Sequence, residues 1–404
     1  MIVQDVRRAP LEGLRVLELA SILAGPWAGQ LLADLGADVI KVEAPGRGDE
    51  TRRWGPPFME GSDGQPLEAA YFHACNRGKR SIEIDLAAPD GQSRVRELAS
   101  DADVLIENFR VGRLAGFGLD YAALGALNSR LIYCSITGYG QDGPYSERPG
   151  YDFVIQGLSG IMDLTGEADG PPQKTGVAFS DIFTGIYAVV AIQAALIDRS
   201  RTGRGTHIDM ALLDSMVGVL ANQASNLFVS GTAPHRMGNA HPNIVPYQVF
   251  PARDGRVVIA AGNDRQFAGL CEVLGLRNIA KSDAYANNAA RVANRAALVA
   301  ELGAATRRCD ASDLIERLSD AGVPAGPVNT LDQVFADPQV IHRKIKVSLA
   351  DTDTKAGSTA GLRPPFLLDG SSVHSTRPPP RLGGDNRDIL GSGDATWPDP
   401  PGRD

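Results

Sequence analysis

Three places in this 404-residue sequence combine residue types that can do chemistry. Asp181 follows the run KTGVAFS (174–180) and opens a long apolar segment. A carboxylate there has two readings. It is a first-turn acid favoured by the helix dipole, or it is a nucleophile that the helix N-terminus keeps ionised while nearby N–H groups receive a tetrahedral oxyanion. The pattern alone leaves both open. The run NRGKR (76–80) is a basic turn just before a strand. It is a solvated turn, or a clamp in which Arg77, Lys79 and Arg80 grip the phosphates of an ADP-bearing molecule. The run NFRVGR (108–113) lies at the C-terminal end of a strand, where ligands settle in open α/β sheets. There Asn108 can bond an amide, Phe109 can stack, and Arg110 or Arg113 can meet phosphate.

Several classes are disfavoured. The net charge of −8 supplies no overall field for nucleic acid or an anionic membrane, so an anionic ligand must be held by local cations and N–H groups. Cys75, Cys134, Cys271 and Cys309 form no CxxC pair and, with Asp, Glu and His, no compact metal-ligand pattern, so no metal is expected. Scattered thiols fit a reducing, cytoplasmic compartment. The first twenty residues show no signal-peptide apolar region, and no run approaches the ~18 apolar residues of a membrane span. The turn SILAGPWAG (21–29) follows a strand and opens a helix, and Glu43 ends the next strand where a ribose-binding acid would sit. The turn lacks G-x-G-x-x-G, however, and Pro26 removes a donor where a pyrophosphate needs one. No P-loop, G-x-S-x-G or H-E-x-x-H is present.

The elements that must position these residues alternate. Strands are expected at 14–20 (LRVLELA), 38–43 (DVIKVE), 81–85 (SIEID), 103–107 (DVLIE) and 130–136 (RLIYCSI), with helices at 25–35, 91–100 and 121–127 between them. This alternation predicts a parallel sheet covered on both faces. Two long helices are expected at 182–198 and 211–229, with a short strand at 207–210 between them. Composition shifts near Gly231. A hairpin around Asp254-Gly255, 246–251 with 256–261, and helices at 265–274, 289–307 and 311–320 predict a smaller α+β domain. The chain then begins a return at 323–328. At 404 residues, two or three domains are expected, divided as 1–228, 229–325 and 326–404. The tail from Gly370, rich in Pro, Gly, Asp and Ser, reads as extended packing or partial disorder.

The sequence resembles the family III CoA transferases, of the formyl-CoA transferase and carnitine CoA-transferase (CaiB/BaiF) type. The likeness runs from about Leu11 to at least Val347. It rests on LAGPWAGQLLADLGADVIKVEAPGRGD, NRGKRSIEIDL, DVLIENFR, SITGYGQDGPY followed by RPGYD, TGVAFSDIFTGIYA, AGVPAGPVNT and DPQV, in that order. The resemblance implies an α/β fold: a Rossmann-like large, CoA-binding domain plus a smaller α+β domain, with both termini in the large one and two ring-shaped subunits interlocked as a homodimer. It makes Asp181 the catalytic aspartate. It places Asn108 and Phe109 on the CoA-contacting segment and Lys79 and Arg80 near its nucleotide end. Leu23, Thr137, Gly138 and Tyr139 join the CoA-facing positions, with Arg77, Arg110 and Arg113 as phosphate candidates.

Departures from the formyl-specific pattern bear on substrate. Leu23 stands for a Gln facing the acyl group, Thr137 for a Lys, Gly116 for an Arg, and 238–247 (GNAHPNIVPY) for a glycine-rich flap. These argue against formyl and oxalyl transfer. A small or dicarboxylic acyl pair such as succinate is expected because many relatives use one. Racemases of 2-methylacyl-CoA share the fold but need two proton-transfer groups, usually including a His where this chain has Tyr151, whose ordinary pKa near 10 makes it a poor base. The implied mechanism is covalent. Asp181 forms a mixed anhydride with the acyl group and then a thioester with CoA, in a site that excludes water, with 238–247 as the candidate closing loop.

Overall fold

The alternation of β-branched runs with amphipathic segments builds a six-stranded parallel sheet in the computed structural model, which describes residues 9–391 and 393–398. Its strands are β1 (Arg15–Glu18), β2 (Asp38–Glu43), β3 (Lys79–Glu83), β4 (Val104–Glu107), β5 (Ile132–Thr137) and β6 (His207–Ala211). The helices among them are α1 (Ala24–Asp34), α2 (Pro89–Ser100), α3 (Tyr121–Leu127), α4 (Asp152–Leu158), α5 (Phe179–Thr202) and α6 (Leu212–Gly218). The strand order is β3-β2-β1-β4-β5-β6, the doubly wound order in which the winding reverses between β1 and β4. Val16 pairs with Val39 and Val104, and Leu17 with Ile40 and Leu105. Successive side chains point to opposite faces. Val16, Val39, Val104 and Ile132 therefore form one core with α1 and α5, while Leu17, Ile40, Leu105 and Tyr133 form another with α2 and α3.

Local chemistry sets the helices. Pro26 falls in the first turn of α1, where its missing N–H costs nothing. A Cβ on Gly29 would collide with the Glu18 carboxylate, and one on Gly25 with the Ala20 side chain, so these glycines serve close packing of α1 on β1. Asp120 caps α3, accepting the Ala123 N–H at 3.2 Å. Helix α5 ends on Gly203 at φ +73°, a left-handed cap. Contrary to expectation, α5 is long and apolar enough to cross a membrane by length and composition. It packs along α1, α4, α6 and β5 on one side, and a third of its apolar stretch is buried.

The chain divides into two compact units. One holds the residues up to Ile161, Thr175–Ala224 and the chain from Ile341. The other holds Met162–Lys174 and Ser225–Val340. The sequence suggested divisions at 228/229 and 325/326, and the 162–174 excursion was not foreseen. The expected return at 323–328 comes later because Ala325–Pro327 pairs antiparallel with Arg256–Ala260. That second unit is a three-stranded antiparallel sheet, completed by Tyr247–Pro251, under a core of Phe250, Val257, Ile259, Phe267, Leu298 and Leu314. The expected helix 211–229 is broken into α6 and α7 (Ala221–Ser230) where Ala221 takes φ +43°. The one at 289–307 is broken at Asn294.

The described part of the tail is packed. Asp385 and Asn386 accept the Ser81 and Glu83 N–H groups at 2.9 and 2.8 Å, covering the outer edge of β3, and the Trp397 indole donates to Leu98 O at 2.9 Å. Residues 392 and 399–404, and the first eight residues of the N-terminus, lie outside the described residues.

Candidate active site

The reversal between β1 and β4 opens a crevice at the carboxyl ends of the strands, where doubly wound sheets take ligands. A cavity of about 280 Å³ lies there. Its walls come from the turn after β1 (Ile22, Leu23), the loop after β4 (Asn108, Phe109, Arg110), the end of β5 (Thr137, Gly138), the start of α4 (Tyr151, Asp152) and the first turn of α5, which presents Asp181. A close approach of Gly138 and Gly150, where a Cβ on Gly138 would come 2.6 Å from Gly150 Cα, folds the 140–150 loop back so that Arg148 also lines the cavity.

Asp181 is half-buried at the third position of α5. Its neighbour Ser180 is locked in place: its N–H donates to Asp152 Oδ1 at 2.9 Å, and its hydroxyl bonds the same carboxylate. Asp152 Oδ2 accepts from Gln156 at 2.8 Å, and Gln156 accepts the Thr175 N–H at 3.0 Å. Two helix-opening acids thus face one another through Ser180. Burial, and next the Asp152 charge, push the Asp181 carboxyl up to about 7. This corrects the expectation that the helix N-terminus keeps it fully ionised: desolvation and a like charge outweigh the dipole. A carboxylate so placed is poorly solvated, the condition under which a carboxylate can serve as an oxygen nucleophile.

The structure sorts the other expected residues. Leu23, Asn108, Phe109, Arg110, Thr137 and Gly138 line the cavity with Asp181. Asn108 does so mainly as a brace: its Oδ1 accepts the Ser21 N–H at 2.9 Å and its Nδ2 donates to Ser21 O at 2.8 Å. Arg113 stacks on Phe117 in a neighbouring cavity of about 360 Å³ that shares Ser21, Glu50 and Phe109 with the first. Tyr139 packs edge-on against Tyr145, 5.6 Å between centroids, outside the lining. Two basic residues are misassigned. Arg77 is 2% exposed and its guanidinium is bound to Asp34, with Nε at 2.9 Å from Oδ1. Lys79 is fully buried, 2.8 Å from a Glu18 oxygen and 2.8 Å from Asn76 Oδ1. Neither lines the two cavities: Arg77 is turned onto Asp34, and Lys79 opens β3, two residues earlier than the sequence suggested, with its side chain buried. Arg80 is paired with Asp38 at 2.8 Å and lies 3.7 Å from Asp385.

Sequence reasoning missed Asp152, Ser180 and Arg148 as site residues. The GYD segment drew notice only for Tyr151, and nothing in the sequence showed that it opens a helix meeting the one that carries Asp181. The Arg148 guanidinium stacks 3.9 Å over the Tyr145 ring. Among the described residues neither Arg148 nor Arg110 is ion-paired with a carboxylate. The candidate loop 238–247 is tied within its own unit, Asn288 donating to Asn243 O at 2.8 Å and Arg295 to Pro242 O at 2.8 Å.

The doubly wound sheet carries a desolvated carboxylate, Asp181, in the crevice at its switch point, and the chain belongs to CoA-transferase family III, whose model matches residues 11–386. It is a CoA-transferase acting on CoA thioesters. Similar proteins include a succinate–glutarate CoA-transferase of Agrobacterium fabrum, 53% identical over 95% of this chain and 96% of its own length. A succinyl-CoA:glutarate CoA-transferase of Homo sapiens is 42% identical over 94% and 85%. The crystal structure of a CaiB/BaiF family protein from Brucella suis is 55% identical, with a TM-score of 0.84, covering 95% of this chain and 99% of that one. The resemblance read from the ordered motifs is borne out.

Proposed function

We propose that the protein transfers CoA between succinate and a second dicarboxylate such as glutarate, with Asp181 as the covalent carrier. The observation that carries the reading is the desolvated Asp181 carboxyl at the head of α5, in a cavity that also holds two guanidinium groups, Arg110 and Arg148, with no carboxylate partner among the described residues. The substrate class of the 53% and 42% identical relatives supports it. In the first step an Asp181 oxygen attacks the thioester carbonyl. The C–S bond breaks, CoA leaves as thiolate, and a mixed anhydride remains. The thiolate then attacks the aspartyl carbon, expelling the donor carboxylate and leaving an aspartyl-CoA thioester. The acceptor acid reverses both steps. Arg148 holds the distal carboxylate of the acyl group. The CoA moiety runs from Asp181 past Phe109 into the adjoining cavity, where Arg113 meets phosphate.

The protein functions as a homodimer in the cytoplasm. Ile186, Tyr187, Val190 and Ile197 recur along one face of α5 and are 40–66% exposed, an apolar stripe of the kind that a second subunit covers. Its four cysteines are unpaired thiols.

The test is trapping. Incubated with succinyl-CoA and no acceptor, the enzyme should accumulate an adduct that hydroxylamine or borohydride captures, and peptide mass spectrometry should place it on Asp181. Exchange of a 2-hydrogen with solvent, without any adduct, would instead indicate an isomerising enzyme and end the transferase mechanism.

A further inference from the structure

The turn joining β1 to α1 adopts a conformation that its sequence disfavours. Ile22 has φ +73°, in the left-handed region where a β-branched residue is strained and glycine is not. Among the described residues the other non-glycine positions with positive φ are Ala221, Lys344 and Asp369, and of the four Ile22 alone lines the Asp181 cavity. Such a residue persists where its surroundings over-determine it. Here the main-chain groups of the turn are tied to side chains from four separate segments. Lys41 Nζ donates to Ala20 O at 2.7 Å. Asn108 brackets Ser21 with its two bonds. The Ile22 N–H donates to Asp49 Oδ2 at 3.0 Å, and the Cys75 thiol donates to Ile22 O at 3.5 Å.

Asp49 is itself held fast. It is 3% exposed, lies 3.0 Å from Lys41 Nζ, and accepts from the Thr51 N–H and hydroxyl at 2.9 and 2.7 Å. Lys41, 1% exposed, is also paired with Glu18 at 3.0 Å. Neither Asp49 nor Lys41 lines the Asp181 cavity, although both line the adjoining one, so on the Asp181 cavity they act through the turn. A buried ion cluster that only held strands together would have no use for a strained isoleucine where glycine relaxes the backbone.

We infer that Asp49, backed by Lys41, is a positioning residue: its carboxylate holds Ile22 in the left-handed conformation, and that conformation sets the wall, residues 21–23, against which the acyl thioester is presented to Asp181. The inference rests on reading the cavity as the acyl-transfer site. The test uses the full chain and four variants, Ile22→Gly, Ile22→Ala, Asp49→Asn and the Ile22→Gly/Asp49→Asn double, with melting temperature and succinyl-CoA:glutarate transfer kinetics measured for each. Ile22→Gly should melt no lower than the wild type, since glycine takes this φ without strain. Asp49→Asn should lower kcat about tenfold or more in the parent, because a turn released from its left-handed conformation displaces the wall and misaligns the reactants. In the Ile22→Gly background the same change should cost far less, because glycine keeps this φ without a carboxylate to hold it. Ile22→Ala trims the same side chain but keeps the Cβ that disfavours this φ, so its kcat should be no higher than that of Ile22→Gly. A kcat in Ile22→Gly well below that in Ile22→Ala, or an equal loss on Asp49→Asn in both backgrounds, would each overturn the inference while leaving the transferase reading intact. A wild-type chain that transfers no CoA would overturn that reading itself. Should Asp49→Asn fail to fold, the glycine–alanine comparison at Ile22 still decides the matter.

Discussion

In the free enzyme the Asp181 carboxyl titrates at about 7, against 3.8 for an ordinary aspartate, and a neutral residue in its place escapes the energetic consequence. At 1.36 kcal/mol per pH unit, the rise has a ceiling of ~4 kcal/mol. Asp181 is partly exposed, and solvent screening reduces this to roughly 1–2 kcal/mol. The sign follows from proton binding. The folded protein holds this proton more tightly than the unfolded chain, so the associated stability is complete below about 3.8, declines as pH rises, and is lost above about 7. Asp181→Asn keeps the shape and removes the titration. Its melting temperature should therefore exceed that of the wild type by an amount that grows between about pH 4 and 7 and is constant above. An unfolding entropy of about 2.1 cal/mol/K per residue over 404 residues makes 1 kcal/mol worth ~1 °C, so the plateau should lie ~1–2 °C above the wild type. Transfer by the same variant should fall by about 10⁴-fold or more, since its nucleophile is gone. Scanning calorimetry at pH 5, 6, 7 and 8.5, with turnover assayed alongside, measures both. A difference in melting temperature that is absent at pH 8.5, or that shrinks as pH rises, would refute the electrostatic account of this site.

Asp152→Asn removes the like charge beside Asp181, so the acid limb of the kcat/KM profile, expected near pH 7 in the wild type, should move to lower pH; an unmoved limb counts against the coupling. Arg148→Leu should lower kcat/KM for glutarate about 10–100-fold more than for butyrate, whereas an equal loss with both acids would remove Arg148 from substrate recognition. Arg77→Met strands the buried Asp34 carboxylate and should cost about 3–5 kcal/mol of stability with KM for succinyl-CoA unchanged. A raised KM with normal stability would restore the phosphate-clamp role. Sedimentation velocity at micromolar concentration should show a dimer, and a stable monomer would contradict the proposed covering of α5.

The sheet was legible because strand and helix periods alternate: DVIKVE and DVLIE appear as strands within a residue of their expected bounds. The order β3-β2-β1-β4-β5-β6 was not, since no local pattern says which strands are neighbours. Asp181 was visible as a residue with two readings, and only the motif resemblance chose between them. What failed was charge. Arg77, Lys79 and Arg80 look solvent-facing in one dimension, yet each has found a carboxylate across the fold: Asp34, Glu18 and Asp38. A buried lysine on a strand is so costly alone that its presence implies a partner, but not which partner. Asp152 was missed for the same reason, because its importance lies in a contact 28 residues away, with Ser180.

The covered edge of β3 has a consequence during synthesis. Ser81 waits for Asp385 across 304 residues, and Glu83 for Asn386 across 303. At about 5–20 residues per second, that interval is on the order of 15–60 s, in which a sheet edge stands open while the rest of the chain emerges. Unpaired edges recruit other strands, so the newborn protein is most prone to aggregate in that window. Truncation before Asp385 would make the window permanent. Loss of solubility, with every residue of the Asp181 cavity still in place, is the defect to expect from a late stop codon in this gene.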